Sequence, residues 1–175
     1  MSSTDPGRRP ETPPAFILGS GITALGVFRI LGRKGIPVLS LQARPGFEKR
    51  SKWFERARET GLSGTSESVA ECLRETHHEG GVLIPCSDEF ALETASLDDD
   101  LSQRFRSCVP PLETLELLID KGKFHERLVS KGIPHPTTHV VDDPSDFASL
   151  FDTKRPRYFI KPRLSHRFRQ EVGLK

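Results

Sequence analysis

The residues from Gly19 to Ala24 read GSGITA and match the pattern G-x-G-x-x-[GA]. They follow a short apolar run, AFIL, and they open a stretch whose apolar residues recur at helical spacing. Glycines at positions 19 and 21 let the backbone approach a ligand closely, and the N-terminus of a helix offers N–H groups to an anion. The pattern therefore predicts a ligand site in a strand-to-helix turn, with Gly19 and Gly21 in contact with the ligand.

Two other interpretations of this turn remain open. An NAD site of the Rossmann type needs an acid at the end of the second strand, and the sequence has Gln42 and Arg44 there instead. Arg44 suits the 2′-phosphate of NADP, so an NADP-binding domain is one alternative. The other is a tight turn that binds no ligand.

A second group of polar side chains is found in PCSDE, residues 85–89, at the end of a predicted buried strand. Ligands of open α/β sheets bind beyond the carboxyl ends of the strands. Asp88 and Glu89 are therefore candidates to receive the amine of a substrate. The alternative is that Asp88 only caps the helix that follows.

The elements that position these residues alternate between strand and helix. Strands are predicted at residues 15–18, 37–41 and 82–85, and Gly35 is a natural end for the first helix. A second helix, capped by Thr65 or Ser66, extends to about His78, and a third covers residues 89–97. This alternation predicts an open, doubly wound α/β sheet with parallel strands. One face of the second helix carries Val69, Cys72, Leu73 and Thr76.

The pattern changes after Pro110 and Pro111, which predicts a second domain beginning near residue 112. A helix with an apolar stripe is followed by KGKFHERLVSK, a helix that Asp120 can cap and Gly132 ends. DPSDFASLF then predicts a short helix and RYFIKPR a strand. The predicted organisation is a flexible leader at 1–14, a parallel-sheet domain at 15–111 and part of another domain at 112–175.

Four segments, in this order, resemble the carboxylate–amine ligase branch of the ATP-grasp superfamily. FILGSGITALG and VLIPCSDEFALETAS resemble the domain that precedes the ATP-grasp domain. IDKGKFHERLVSKGIPHPTTHVV resembles the entry segment of the ATP-grasp domain, and RYFIKPRLSHRF resembles its strand with a lysine before a proline. The resemblance implies a Rossmann-like pre-ATP-grasp domain followed by the start of an ATP-grasp (α+β) domain.

The same resemblance implies that Lys121 and Lys161 reach the phosphates of ATP, with Lys123 as a substitute for Lys121. A single lysine is ordinarily a solvated surface charge, but a lysine at the end of a buried strand is a cation of limited freedom. The loop after Pro162 lacks the glycines of the family's usual lid. Ser165 and nearby arginines would therefore take over phosphate contact, unless this basic stretch is only a solvated end.

Family membership also implies a reaction and its partners. A carboxylate is activated by ATP as an acyl phosphate, and an amine then attacks it. The family's Mg²⁺ ligands lie beyond the part of the fold present here, so we expect no metal ligand within this chain. The chain alone is then an inactive N-terminal fragment of a ligase. The alternatives are the NADP-binding domain and a non-catalytic relative that binds a small molecule or a partner.

Composition excludes several other classes of function. The 26 basic and 24 acidic residues leave a net charge of +2, which gives no reason to expect nucleic acid or an anionic membrane as partner. No apolar run approaches the ~20 residues that cross a bilayer. The three cysteines are far apart and form no metal-ligand spacing, which favours a reducing cytoplasm. The sequence does not indicate an oligomeric state.

Overall fold

A computed structural model describes residues 12–41, 46–57, 68–141, 143, 145 and 158–173 of the chain. The chain divides into two compact units, residues 1–111 and 112–175. The division falls where the sequence pattern changes. The leader (1–14) and the helix predicted in DPSDFASLF lie mostly outside the described residues, and Arg44, Thr65 and Ser66 lie outside them as well.

The first unit is built on a five-stranded sheet in the order β3-β2-β1-β4-β5, in which each pair of neighbours is parallel. This confirms the predicted α/β class and the parallel pairing of the first two strands. The order reverses direction between β1 and β4, so the carboxyl ends of these two strands form the switch point where open sheets bind ligands. The strands are β1 (Ala15–Leu18), β2 (Val38–Ser40), β3 (Glu55–Arg56), β4 (Gly81–Pro85) and β5 (Phe105–Ser107).

Both faces of the sheet are covered, as the alternation of side chains along a strand requires. Ala15 and Ile17 of β1 pack with Phe28 of helix α1 (Gly21–Arg33). Phe16 and Leu18 face the other side, where they join the buried cluster that includes residues of helices α2 (Val69–Glu75) and α4 (Asp99–Arg104). The apolar residues at helical spacing after the glycine turn are Ile22, Leu25, Phe28 and Leu31. Leu25 and Phe28 are buried and Leu31 packs against the core, but Ile22 is 76% exposed in the first turn of α1.

Helix α2 is shorter than predicted: it begins after the positions expected for a cap at Thr65 or Ser66, and it ends before His78. Ser68 is its N-cap and forms a reciprocal capping box with Glu71, while Glu93 of helix α3 (Asp88–Ala95) accepts the Val69 N–H at 2.9 Å. The predicted buried face of α2 is confirmed, since Val69, Cys72, Leu73 and Thr76 are all buried. Helix α4 and strands β3 and β5 were not predicted, because they are short and carry mostly polar residues.

The described part of the second unit begins with the predicted helix pair, α5 (Leu112–Ile119) and α6 (Lys121–Ser130). Asp120 caps α6 as expected, accepting the N–H groups of Gly122 and Lys123. Gly132 follows the helix with φ of +62°, the left-handed conformation that glycine adopts without strain.

The strand predicted in RYFIKPR is wrong over the described residues 158–162, which are neither helix nor strand. Phe159 is 84% exposed and Ile160 is 68% exposed. An apolar run becomes a buried strand only if neighbouring strands and a covering layer are available, and the described residues supply neither here. The loop predicted after Pro162 is also wrong from Ser165 onward, because Ser165–Val172 forms helix α7.

Two glycines of α1 provide a matched pair for testing the packing of the first unit. A Cβ on Gly32 would penetrate the side chain of Trp53, whereas a Cβ on Gly26 would meet no atom within 4 Å. We expect Gly26→Ala to stabilise the unit by about 0.5–1 kcal/mol and Gly32→Ala to destabilise it by about 1–3 kcal/mol. Urea unfolding followed by circular dichroism measures both values. Equal stabilisation by the two alanines would contradict the Trp53 contact.

Candidate functional site

The glycine turn at the end of β1 has the backbone that its sequence predicts. Gly19 has φ of +118° and Gly21 has φ of +87°. Residues other than glycine rarely adopt such backbone conformations. A Cβ on Gly19 would lie 3.3 Å from the Cβ of Cys86. The turn therefore brings the end of β1 against the residue that follows β4, at the switch point of the sheet.

An acidic side chain of the chain itself lies at the N-terminus of α1. The Oε2 atom of Glu48 accepts the Gly21 N–H at 2.9 Å, and its Oε1 atom accepts the Gly46 N–H at 2.7 Å. Glu48 is completely buried. Its carboxylate thus makes the contact that a phosphate would make with the first turn of a helix, and it also compensates the positive end of the helix dipole.

Glu48 also influences the neighbouring thiol. Burial raises the pKa of the Cys86 thiol, and the Glu48 carboxylate raises it further. A raised pKa keeps the sulfur protonated at neutral pH, so Cys86 is suited to packing against Gly19 and not to nucleophilic chemistry.

Sequence reasoning missed Glu48, which is part of a short 3₁₀ helix, Phe47–Arg50, in the polar stretch after β2. The distant half of its site has no local signal, because the Gly21 N–H, 27 residues away in the sequence, is brought to Glu48 by the fold. The cue that the sequence offers is Gly46, whose N–H closes a turn onto the Glu48 carboxylate.

The acids predicted to receive an amine lie at the start of α3. Ser87, and not Asp88, caps this helix, since the Ser87 hydroxyl accepts the Phe90 N–H at 3.4 Å. The proposed capping role of Asp88 is therefore wrong. Asp88 and Glu89 occupy the first turn of α3 and are exposed, which leaves both carboxylates accessible to solvent.

In the second unit, two of the predicted ATP-binding residues lie together. The Nζ atom of Lys121 is 3.0 Å from the Oγ atom of Ser165 and 3.4 Å from the carbonyl oxygen of Arg163. The start of α6 thereby contacts the start of α7, although 44 residues separate Lys121 and Ser165 in the sequence. We call Asp120, Lys121, Arg163 and Ser165 the basic cluster.

Asp120 and Arg163 complete the basic cluster. The Arg163 Nε atom donates to the Asp120 Oδ1 atom at 2.8 Å. This hydrogen bond, bonds from the Lys123 and Gly122 N–H groups and the positive charge of Arg163 lower the pKa of the Asp120 carboxyl, although burial opposes them. Asp120 is therefore ionised at neutral pH and neutralises one of the two cations beside it.

Lys161 and Lys123 occupy different surroundings. The Lys161 side chain is exposed, and its ammonium lies 5.1 Å from the centroid of the Phe159 ring. Lys123 is directed to α5, with its Nζ atom 3.8 Å from the Glu116 carboxylate. Lys121, and not Lys123, is therefore the partner of Ser165. Because residues 158–162 form no strand, Lys161 lacks the buried strand that was expected to limit its freedom.

The first turn of α7 adds polar groups near the basic cluster. Leu164 is the N-cap and supplies no side-chain hydrogen bond to the helix. His166, in the same turn, has a buried Nδ1 atom that finds no hydrogen-bond partner within the described residues. The arrangement of cations and helix start suits an anion, because N–H groups at a helix N-terminus and ammonium groups both donate hydrogen bonds.

A groove of about 560 Å³ between α5 and α6 is less suited to a phosphate. Its lining includes three acids, Glu113, Glu116 and Glu126, beside Lys123 and Arg127. Like charges repel a polyanion, so the groove does not compete with the basic cluster as a nucleotide site.

Searches among protein-family models, curated proteins and solved structures yield no match to this chain. Within the described residues, no helix is long and apolar enough to span a bilayer. The function of the chain therefore has to be inferred from its own residues and their geometry.

Proposed function

We propose that this chain is the N-terminal portion of an ATP-dependent carboxylate–amine ligase and that its second unit binds ATP through the basic cluster. The observation that supports the proposal is the 3.0 Å contact between Lys121 and Ser165. The family resemblance nominated both residues as ATP contacts. The two residues are 44 positions apart in the sequence, and the fold brings them together at the start of α6.

The chemistry of the basic cluster suits the phosphates of ATP. Lys121 occupies the first turn of α6, where the helix dipole disfavours a positive charge by about 0.3–1 kcal/mol. Two of its three N–H donors point to the Ser165 hydroxyl and the Arg163 carbonyl. No other acceptor among the described residues takes the third. A phosphate oxygen would accept that donor and offset the unfavourable dipole.

The reaction proposed for the ligase joins a carboxylate to an amine. ATP supplies the phosphoryl group that converts the carboxylate to an acyl phosphate, which the amine then attacks. The residues nominated for the organic substrates are in the first unit, where Asp88 and Glu89 are exposed beside the switch point of the sheet. Their carboxylates suit the ammonium form of an amine. Of the two glycines nominated beside them, Gly19 allows close backbone approach, whereas the Gly21 N–H is already bonded to Glu48.

Mg²⁺ does not fit the residues described here. Within the described part of the chain, no group of three or more His, Cys, Asp or Glu side chains is arranged to hold a metal. The one acid of the basic cluster, Asp120, already has an oxygen engaged by Arg163 and by two backbone N–H groups. We therefore name no Mg²⁺ ligand among the described residues and assign no step of the reaction to such a ligand.

The NADP-binding alternative is opposed by Glu48. A dinucleotide places its pyrophosphate at the first helix of the sheet, against the N–H groups of the glycine turn. The buried Glu48 carboxylate already accepts the Gly21 N–H, and it would repel a second anion there. Binding NADP would require Glu48 to leave a fully buried position.

Thermal denaturation with added nucleotides distinguishes the two functions. A ligand at about a hundred times its dissociation constant stabilises a protein by roughly 2.7 kcal/mol, so millimolar ATP with Mg²⁺ is expected to raise the melting temperature measurably. NADPH at the same concentration is expected to leave it unchanged. Protection by NADPH without protection by ATP would contradict the proposal.

A further inference from the structure

We infer that Arg163 is a positioning residue: its guanidinium, held by Asp120, sets the place of the Lys121 ammonium at the start of α6. The effect of Arg163 on ATP binding rests on the proposed function, whereas the contacts of Arg163 with the start of α6 do not depend on it. Arg163 contacts the start of α6 by its side chain, through Nε to Asp120 at 2.8 Å, and by its main chain. The Arg163 carbonyl oxygen accepts the Lys121 N–H at 3.3 Å and faces the Lys121 Nζ atom at 3.4 Å.

Asp120 connects the helix cap to the arginine. Its Oδ1 atom accepts the Gly122 N–H at 2.9 Å, the Lys123 N–H at 3.1 Å and the Arg163 Nε–H at 2.8 Å. Asp120 is only 8% exposed. One carboxylate oxygen therefore fixes both the first turn of α6 and the segment that leads into α7.

Gly122 provides independent support for the fit of the guanidinium. It occupies the second position of α6, where glycine is a poor helix former. A Cβ at this position would lie 2.9 Å from the Arg163 Nε atom and 3.1 Å from its Cζ atom. Such a side chain would displace the guanidinium, so the glycine gives Arg163 the space to reach Asp120.

These contacts restrict the Lys121 side chain, although the helix dipole at the start of α6 disfavours its positive charge. Lysine has a long flexible stem, and the helix dipole pushes its charge away from the start of a helix. The Arg163 carbonyl and the Ser165 hydroxyl supply the acceptors that hold the ammonium in place. Arg163 acts on the nucleotide through Lys121, which makes it a positioning residue and not the primary phosphate contact.

Selective acetylation of lysines tests this inference on the full chain. Acetic anhydride at low stoichiometry, followed by peptide mass spectrometry, gives the modification rate of Lys121 relative to that of Lys123 in the same molecule. In Arg163→Met we expect the relative rate at Lys121 to rise roughly two- to tenfold, the factor that loss of one or two hydrogen bonds produces. Gly122→Ala, which keeps every charge, is expected to act in the same direction, and Arg163→Lys is expected to restore part of the protection.

Arg167→Met, which replaces an exposed side chain in the first turn of α7, serves as the control and should leave the relative rate unchanged. Hydrogen exchange at α6 shows whether the helix remains formed in each variant. Since every variant retains the carbonyl at position 163, a changed rate reports the placement of that carbonyl by the guanidinium. An unchanged Lys121 rate in both Arg163→Met and Gly122→Ala would overturn the inference, as would an equal rise in Arg167→Met.

The dissociation constant for ATP, measured on the same variants, separates this inference from the proposed function. A roughly three- to tenfold weaker affinity of Arg163→Met for ATP, together with increased acetylation of Lys121, supports both. If the unmodified chain does not bind ATP, the proposed function fails, and the acetylation rates still decide whether Arg163 positions Lys121. If ATP binds but the acetylation rates do not change, only the positioning inference fails.

Discussion

Lys121→Met is expected to weaken ATP binding by about tenfold to more than a hundredfold. One charge-assisted hydrogen bond is worth ~1.5–3 kcal/mol, and each ~1.4 kcal/mol changes the dissociation constant tenfold. Methionine preserves the bulk of the stem and removes the charge that the Ser165 hydroxyl and the Arg163 carbonyl hold in place. Isothermal titration of wild-type and variant chains with ATP and Mg²⁺ measures the change.

Lys123→Met is the matched control, because Lys123 belongs to the same turn of α6 but pairs with Glu116. Its loss should change the affinity less than about twofold, as expected for an exposed ion pair. If Lys123→Met weakened binding as much as Lys121→Met, general charge around α6 would explain the result and the specific role of Lys121 would be wrong. Lys161→Met is a second comparison. Because the Lys161 side chain is exposed, we expect its loss to weaken ATP binding less than Lys121→Met does.

Glu48→Ala is expected to destabilise the first unit by about 2–3 kcal/mol. The substitution removes the acceptor for the Gly21 and Gly46 N–H groups, and each hydrogen bond to a charged group contributes ~1.5–3 kcal/mol. Gly46 is exposed, so water replaces part of the loss on that side. Urea unfolding monitored by the fluorescence of Trp53, the single tryptophan, reports on this unit.

Two companion variants define the origin of this effect. Glu48→Gln keeps the shape and one carbonyl oxygen but places an NH₂ group against one of the two N–H donors, so an intermediate loss is expected. Glu55→Ala removes an exposed acid from β3 and should change stability by less than about 0.5 kcal/mol. A loss in Glu48→Ala no larger than that in Glu55→Ala would show that the buried carboxylate does not hold the glycine turn.

Local patterns of the sequence predicted most of the first unit. The apolar run AFIL and the glycine turn after it specify a buried strand followed by a helix, and both are confirmed with Gly19 and Gly21 at positive φ. The same holds for the cap at Asp120, since capping depends on neighbours within one turn. Predictions of this kind succeed because the interactions that decide them are close in sequence.

The features that the sequence did not predict depend on interactions between residues far apart in the chain. Glu48 bonds to an N–H group 27 residues away, and Arg163 bonds to a carboxylate 43 residues away, so no local pattern reveals either partner. The strand predicted at residues 158–160 fails for a related reason, because three apolar residues specify burial only where another layer covers them. The family resemblance nominated Lys121 and Ser165 separately as ATP contacts, and their contact with each other was not predicted.

The most direct test of the proposed nucleotide site is a titration of isotope-labelled chain with ATP and Mg²⁺, followed by backbone amide NMR. We predict saturable shifts in the amides of residues 120–123 and 163–168, which surround Lys121 and Ser165, and no comparable shift in residues 19–21, where Glu48 occupies the turn. Saturable shifts confined to residues 19–21, or none at the starts of α6 and α7 at millimolar ATP, would contradict the proposal.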